Sequence, residues 1–280
     1  MGAEDSRLNF LMSHHTIVLL GAGRVAQHLG PALARAGHAV LHVWSRTPAS
    51  AGAVAATIPG ATAGTDLRAL PPADLYLLAV PDGAVPQVLA AAGFAPGAVV
   101  AHTAGALPLS VFAARAQVRG GVLYPLQTFS PGRAIEWRTV PLCLEATTAP
   151  DLELLRTVAA SLSADVRLVN SAQRLQLHVA AVWACNFPNH LLGISRALLA
   201  EAGLPWPLLH PLIRETLDKA LAEPPFAVQT GPAVRHDAAT LARHEAALAG
   251  KPAWQALYKD LTVSIQQASG AATPNNEGVV

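Results

Sequence analysis

Between residues 16–20, an unbroken β-branched and aliphatic run, and a helical stretch at 24–36 stands Gly21-Ala22-Gly23-Arg24-Val25-Ala26. Nothing else in the sequence constrains the fold as strongly. Gly21 allows the tight turn from strand to helix, and Gly23 lets the backbone come close to a phosphate. Ala26, with Gly30 one turn later, lets the helix pack against the strand. Ala22, Arg24 and Val25 complete a turn whose unpaired N–H groups face outward at the positive end of the helix dipole, where a pyrophosphate binds. A glycine turn without a ligand is the plain alternative. The setting, strand before and helix after, favours a dinucleotide.

The pattern continues as such a domain requires. Strands are expected at 39–44, 74–80, 98–102 and 118–124, with helices at 82–92 and 108–116. Buried apolar runs separated by helices predict a doubly wound, mostly parallel sheet covered on both faces. A strand at 140–145, a helix at 151–162 and a strand at 165–169 extend the same layer. After Asn170 the pattern turns wholly helical, with a long helix at 172–202 and further helices at 206–222, 237–249 and 253–268. Pro188 lies inside the long helix and predicts a kink, because its missing N–H leaves the Ala184 carbonyl unpaired. The expected organisation is a Rossmann domain at 12–169, an all-α domain at 170–268 and a disordered tail at 269–280.

The second strand carries the next clue, and it is an absence. NAD-binding domains place an acid at its end to bind the ribose hydroxyls. Here the strand ends Trp44-Ser45-Arg46-Thr47, and no Asp or Glu occurs between Asp5 and Asp66. Arg46 can pair with a 2′-phosphate while Ser45 and Thr47 donate to it, so NADP is the expected cofactor. Arg46 as a solvated surface residue is the alternative. Val80 and Pro81, after the fourth strand, are expected beside the dinucleotide, and Asp82 is read as a cap for the next helix.

Composition narrows the setting. Hydrophobic residues make up 52% of the chain and charged residues 13%, against roughly 25% charged in an average soluble protein. Gly, Pro, His and Asn nevertheless break every apolar stretch short of the ~18 residues of a membrane span, and the first eleven residues lack the pattern of a secretory signal. A cytoplasmic protein is expected. A formal net charge of +1 gives no case for nucleic acid or an anionic membrane. The two cysteines, Cys143 and Cys185, read as buried thiols in a reducing compartment. His236, His244 and Asp237 lack a recognised zinc spacing, and no metal is expected.

Several motifs together carry a resemblance. They are the glycine turn, Ala79-Val80-Pro81-Asp82, His102-Thr103-Ala104-Gly105, Tyr124-Pro125-Leu126-Gln127-Thr128-Phe129, His178-Val179-Ala180-Ala181-Val182 with Asn186, and Thr230-Gly231-Pro232-Ala233-Val234-Arg235. From His15 to Gln267 the chain resembles Rossmann-like proteins whose helical C-terminal half is known only as a domain of unknown function, often labelled NADP oxidoreductases. More distantly it is similar to the 6-phosphogluconate dehydrogenase-like enzymes. That resemblance implies a substrate between the Rossmann domain and the long helix, and pairing of helical domains into a dimer. Apolar residues on several sides of the long helix, Leu191, Leu192, Leu198 and Leu199, also fit a homodimer. In one respect the chain departs from those relatives. Hydroxyacid dehydrogenases of that group use a lysine on the long helix, whereas this chain has only Lys219, Lys251 and Lys259.

Without that lysine, His178 is the candidate proton donor and Asn186 the candidate holder of the substrate's polar group, because both interrupt an apolar stretch. Core residues satisfied by the fold are the alternative for both. His102 and Thr103, Gln127 and Arg235 are candidate substrate contacts. Each also has a structural reading, as a shaped turn or, for Arg235, as a partner of Asp237. The function implied is an NADP(H)-dependent reductase or dehydrogenase acting on a small polar molecule in the interdomain cleft. A non-catalytic NADP(H)-binding sensor or scaffold is the second reading, since one fold hosts both.

Overall fold

The computed structural model describes residues 14–115 and 117–271. Strand β1 (Thr16–Leu20) is buried on both faces and pairs in parallel with β2 (Ala39–Trp44) on one side and β4 (Leu75–Leu78) on the other. With β3 (Thr62–Gly64), β5 (Val99–His102), β6 (Arg119–Pro125), β7 (Leu142–Ala146) and β8 (Val166–Leu168), it forms an eight-stranded sheet of order β3-β2-β1-β4-β5-β6-β7-β8. All pairs are parallel except β6–β7. The chain runs outward from β1 to β3, then returns to start β4 on the other side. That reversal opens a crevice at the carboxyl ends of β1 and β4, where such sheets bind ligands.

Alternation along β1 divides the core. Ile17 and Leu19 face α1 (Arg24–Arg35), α2 (Pro48–Ala55) and α4 (Ala149–Leu162), while Val18 and Leu20 face α3 (Val85–Ala91) and Phe112. Gly30 on α1 is required by this packing, because a Cβ there would strike the Ile58 and Leu19 side chains.

The segment expected as a helix at 108–116 is instead a 3₁₀ run, Leu109–Ala114, in which only Phe112 is buried. Leu109 and Val111 pack beside Phe112 against the core; Ala116 lies outside the described residues. Helix α2 and strand β3 were not expected. Both are short, and β3, Thr-Ala-Gly, carries little strand signal.

The long helix comes in three pieces: α5 (Ser171–Ala181), a π-turn (Val182–Asn186) and α6 (Phe187–Glu201). The backbone accommodates Pro188 by widening rather than by a simple kink. A π-turn shifts bonding from i−4 to i−5, which is how a ladder absorbs a missing donor and a bulky ring. By compactness the chain divides here, after Asn186. Helix α5 thus packs with the sheet, tied to β7 by Arg174 and Glu145.

From Phe187 onward the described chain is helical: α6, which Gly203 ends at φ +68°, then α7 (His210–Ala222), α8 (Ala238–Ala247) and α9 (Pro252–Ala271). Helices α8 and α9 form a hairpin tied by His244 Nδ1 to the Tyr258 hydroxyl at 2.8 Å and by Lys259 to Glu245 at 3.2 Å. Residues 269–271, expected in the tail, close α9 instead; the rest of the expected tail lies outside the described residues. No helix among the described residues is long and apolar enough to cross a membrane.

Candidate functional site

At the switch point, Gly21 has φ +126°, and a Cβ on it would overlap the Ala79 carbonyl. Only glycine fits there. Gly23 is different: a Cβ would meet nothing nearer than the Ala79 oxygen at 3.9 Å. The fold alone does not require glycine at 23, and the bare backbone leaves room for close approach by a ligand. Gly23 is also the N-cap of α1, and no side chain caps the helix. Its first N–H groups are left facing outward beside the exposed Arg24, with Val25 partly buried behind.

A cavity of about 750 Å³ opens directly over this turn. Gly21, Ala22 and Gly23 form one side, Ser45, Arg46 and Ser50 a second, and Val80, Pro81 and Gln87 a third. Arg46 is exposed and, among the described residues, makes no ion pair. Thr47, expected to hold a phosphate, is the N-cap of α2: its Oγ1 accepts from Ser50 N at 3.3 Å and donates to Ser50 Oγ at 2.8 Å. Ser50, one turn into α2, lines the cavity and was missed by the sequence reading. Asp82 does not act as a side-chain cap; a 3₁₀ turn, Asp82–Ala84, precedes α3, and the Pro81 carbonyl takes the Ala84 N–H. These features fit a dinucleotide: glycine room, uncapped helix donors, and a basic, hydroxyl-rich edge free of acids.

The other candidates gather at the carboxyl ends of β5 and β6. His178 Nδ1 lies 3.1 Å from the Tyr124 hydroxyl, with the rings edge-on at 76°. Beneath the imidazole is Gly105, where a Cβ would come within 2.5 Å of Nδ1. Helix α5 is anchored one turn before His178 by Arg174, which is fully buried. Arg174 donates to Glu145 Oε2 at 2.5 Å and to the Leu107 carbonyl at 2.6 Å. Ser171 adds its own bonds to Glu145, from N at 3.0 Å and from Oγ at 2.7 Å. These donors hold the Glu145 carboxyl below its usual pKa against the opposing effect of burial. Sequence reading missed Tyr124, Glu145 and Arg174.

Asn186 ends the π-turn and is exposed. On an ideal helix it would lie about 80° from His178. The π-turn inserts one residue and rotates the end of the turn back by about 100°, which brings Asn186 to within about 20° of the His178 face. Cys185, expected as a buried thiol, is exposed, while Cys143 is buried as expected.

Two candidates are corrected. His102 is fully buried, stacked on Phe112 at 5.8 Å, and its Nδ1 accepts the Ala104 N–H at 3.2 Å. Burial first, then the Arg174 charge, lowers its pKa to about 4, so it is neutral at physiological pH and shapes the β5 turn rather than touching substrate. Thr103 is buried too, its Oγ1 donating to the Leu78 carbonyl at 3.3 Å. Both side chains at this strand end point into the fold. Gln127 is exposed after β6, and its Oε1 accepts the Thr128 N–H at 2.7 Å. Arg235 is exposed on the second unit, where Asp237 caps α8 through Thr240 N at 3.1 Å. The structure therefore brings His178 together with Tyr124 and Gly105, and does not bring His102 or Thr103 into the site.

Two family profiles match the chain, a Rossmann-like domain over residues 3–127 and the domain of unknown function DUF2520 over residues 140–265. A crystal structure from Bacteroides fragilis, named "putative NADP oxidoreductase", is 38% identical and superposes with a TM-score of 0.85, covering 91% of this chain and 98% of that one. A Thermotoga maritima protein is 21% identical with a TM-score of 0.66, covering 92% of this chain and all of the other. A reductive aminase from Aspergillus terreus, in complex with NADPH and ethyl levulinate, is 18% identical with a TM-score of 0.64, covering 93% and 95%. No curated protein matches the chain.

Proposed function

We propose that this chain, which belongs to the family of Rossmann-like proteins carrying the DUF2520 domain, is an NADP(H)-dependent oxidoreductase acting on a small polar substrate. The observation that carries the reading is the cavity over Gly21–Gly23, whose far edge offers Arg46, Ser45 and Ser50 and no acid. The similarity to a B. fragilis protein named for NADP and to NADPH-bound reductive aminases supports it. Gly23 and the first N–H groups of α1 would hold the pyrophosphate, Arg46 the 2′-phosphate, and Val80 and Pro81 the approach to the nicotinamide. NADPH bound there supplies a hydride. The chain's own part is to bind the dinucleotide, hold the substrate and deliver a proton, with His178 proposed for that last task and Asn186 for holding the substrate's polar group.

NADPH is expected to bind at least about tenfold tighter than NADH, because one charge-assisted bond is worth ~1.5–3 kcal/mol. Arg46→Ala should remove most of that preference. Fluorescence titration of parent and variant with both cofactors checks this, and equal affinities in the parent would sink the assignment.

The second unit is proposed to pair with a second copy. The residues expected to do so, Leu191, Leu192, Leu198 and Leu199 on several sides of the long helix, are partly covered within one chain. Leu212, Leu217, Leu221 and Phe226 are instead exposed, Leu221 at 87% and Phe226 at 74%. Apolar surface of that kind on a helical unit is normally covered. Light scattering at micromolar concentration should report a dimer; a monomer there refutes the pairing.

A further inference from the structure

Tyr124 is 8% exposed, and among the described residues its hydroxyl has one hydrogen-bonding partner, His178 Nδ1 at 3.1 Å. Burial, with Cys143 and Asp82 adding to it, pushes the phenol's pKa up, so it keeps its proton at neutral pH. A buried O–H donor without an acceptor is costly. Nδ1 is the acceptor on offer, and an imidazole nitrogen accepts only when it carries no proton. The neutral ring then carries its proton on Nε2. Two further features hold the ring in place. Gly105 leaves room for it, a Cβ there lying 2.5 Å from Nδ1 and 2.7 Å from Cγ, and the Arg174–Glu145 pair fixes α5 one turn earlier.

We propose that Tyr124 is a positioning residue that donates into Nδ1 of His178 and thereby presents Nε2–H as a hydrogen-bond donor to the oxygen of a carbonyl or the nitrogen of a neutral imine. The proposal rests on the oxidoreductase reading and deepens it, because it sets the substrate class. A carbonyl or imine accepts from Nε2–H and is polarised toward hydride addition. An alcohol or amine awaiting oxidation needs a base at that nitrogen, which this tautomer does not provide. The resting site is therefore matched to reduction: as hydride adds, the Nε2 proton passes to the substrate's oxygen or nitrogen, the Tyr124 proton passes to Nδ1, and a proton from solvent restores the phenol.

Histidine-ring nitrogen NMR on the full chain, at mildly alkaline pH where imidazole is neutral, reads the tautomer without any substrate. In the parent, His178 is expected almost wholly as the Nε2–H form. Tyr124→Phe should let the ring sample both tautomers. Gly105→Ala, which removes no polar group, should displace the ring and do the same, and it keeps the test available if the tyrosine variant folds poorly. Single-turnover oxidation of bound NADPH by ethyl levulinate should slow on the order of 10–100-fold in either variant with NADPH affinity unchanged, the loss expected from small misplacement. Neither variant should add to the loss in a His178→Ala background. A parent His178 protonated on Nδ1, or ring signals unmoved by Tyr124→Phe, overturns the proposal. The expected tautomer in a chain that reduces neither carbonyls nor imines would instead overturn the oxidoreductase reading and leave the tautomer assignment standing.

Discussion

Replacing Arg174 with alanine is expected to destabilise the sheet-containing unit by about 3–5 kcal/mol, because it leaves the Glu145 carboxylate in place without its cation. Three acceptors lose a donor together: Glu145 Oε2, the Leu107 carbonyl and Ser171 Oγ. The guanidinium is fully buried and the Glu145 side chain is 17% exposed, so solvent replaces these bonds only in part. For a protein of this size the melting temperature should fall by roughly 6–20 °C. A designed contrast separates an orphaned charge from lost packing. Arg174→Met combined with Glu145→Leu removes both charges, and it should recover much of the loss, since apolar replacement of a whole buried pair is often neutral. Thermal unfolding followed by circular dichroism measures all three proteins. An Arg174→Ala protein melting within a degree or two of the parent would mean that the pair contributes nothing to stability.

That arginine also shows where the sequence ceased to be readable. Strands β1 and β2 were legible to the residue because each is a short, mostly buried run rich in β-branched and aliphatic residues, set between turn and helix signals. The glycine turn was legible because strand and helix flank it. Arg174, by contrast, reads on a helix as an ordinary solvated cation, and its partner Glu145 lies on a strand across the fold. No local pattern links them. The available hint was composition: in a chain with 13% charged residues, a Glu inside an apolar strand calls for a cation. Tyr124 was visible as part of a motif, yet its role depends on a contact with a helix 54 residues away.

His102 failed for another reason. The end of a strand is the correct place to look for ligands, but here both side chains are spent inside the fold, Thr103 on the Leu78 carbonyl and His102 on Phe112. His102 points toward Phe112 and away from the crevice. Pro188 was half legible. Its missing donor predicted where the long helix would be disturbed, and the choice of a π-turn over a kink depends on how the surrounding backbone relaxes. That choice matters, because the inserted residue turns Asn186 toward the His178 face. Thr47 and Ser50 exchanged roles on the same principle: the residue that starts a helix is spent on capping it, and the hydroxyl one turn on remains available.

His178→Ala is expected to bind NADPH normally yet to lose on the order of 10²–10⁴ in turnover, the usual range for general acid–base catalysis. The imidazole stands at the carboxyl ends of β5 and β6, the edge at which open α/β sheets place their reacting ligands. It is only partly buried, so one ring edge is held by Tyr124 while the other remains available. The long helix carries no lysine that could take over the task. A purely structural histidine predicts a different outcome. Losing the bond to Tyr124 would then lower the melting temperature, and hydride transfer would be impaired only in proportion to the unfolded fraction. His178→Gln sharpens the distinction, since its amide can still accept from the Tyr124 hydroxyl but does not titrate near neutral pH. It should recover stability without recovering turnover. Thermal unfolding, NADPH titration and single-turnover hydride transfer on both variants separate the two roles, and a His178→Ala protein that turns over at the parent rate rules out the catalytic one.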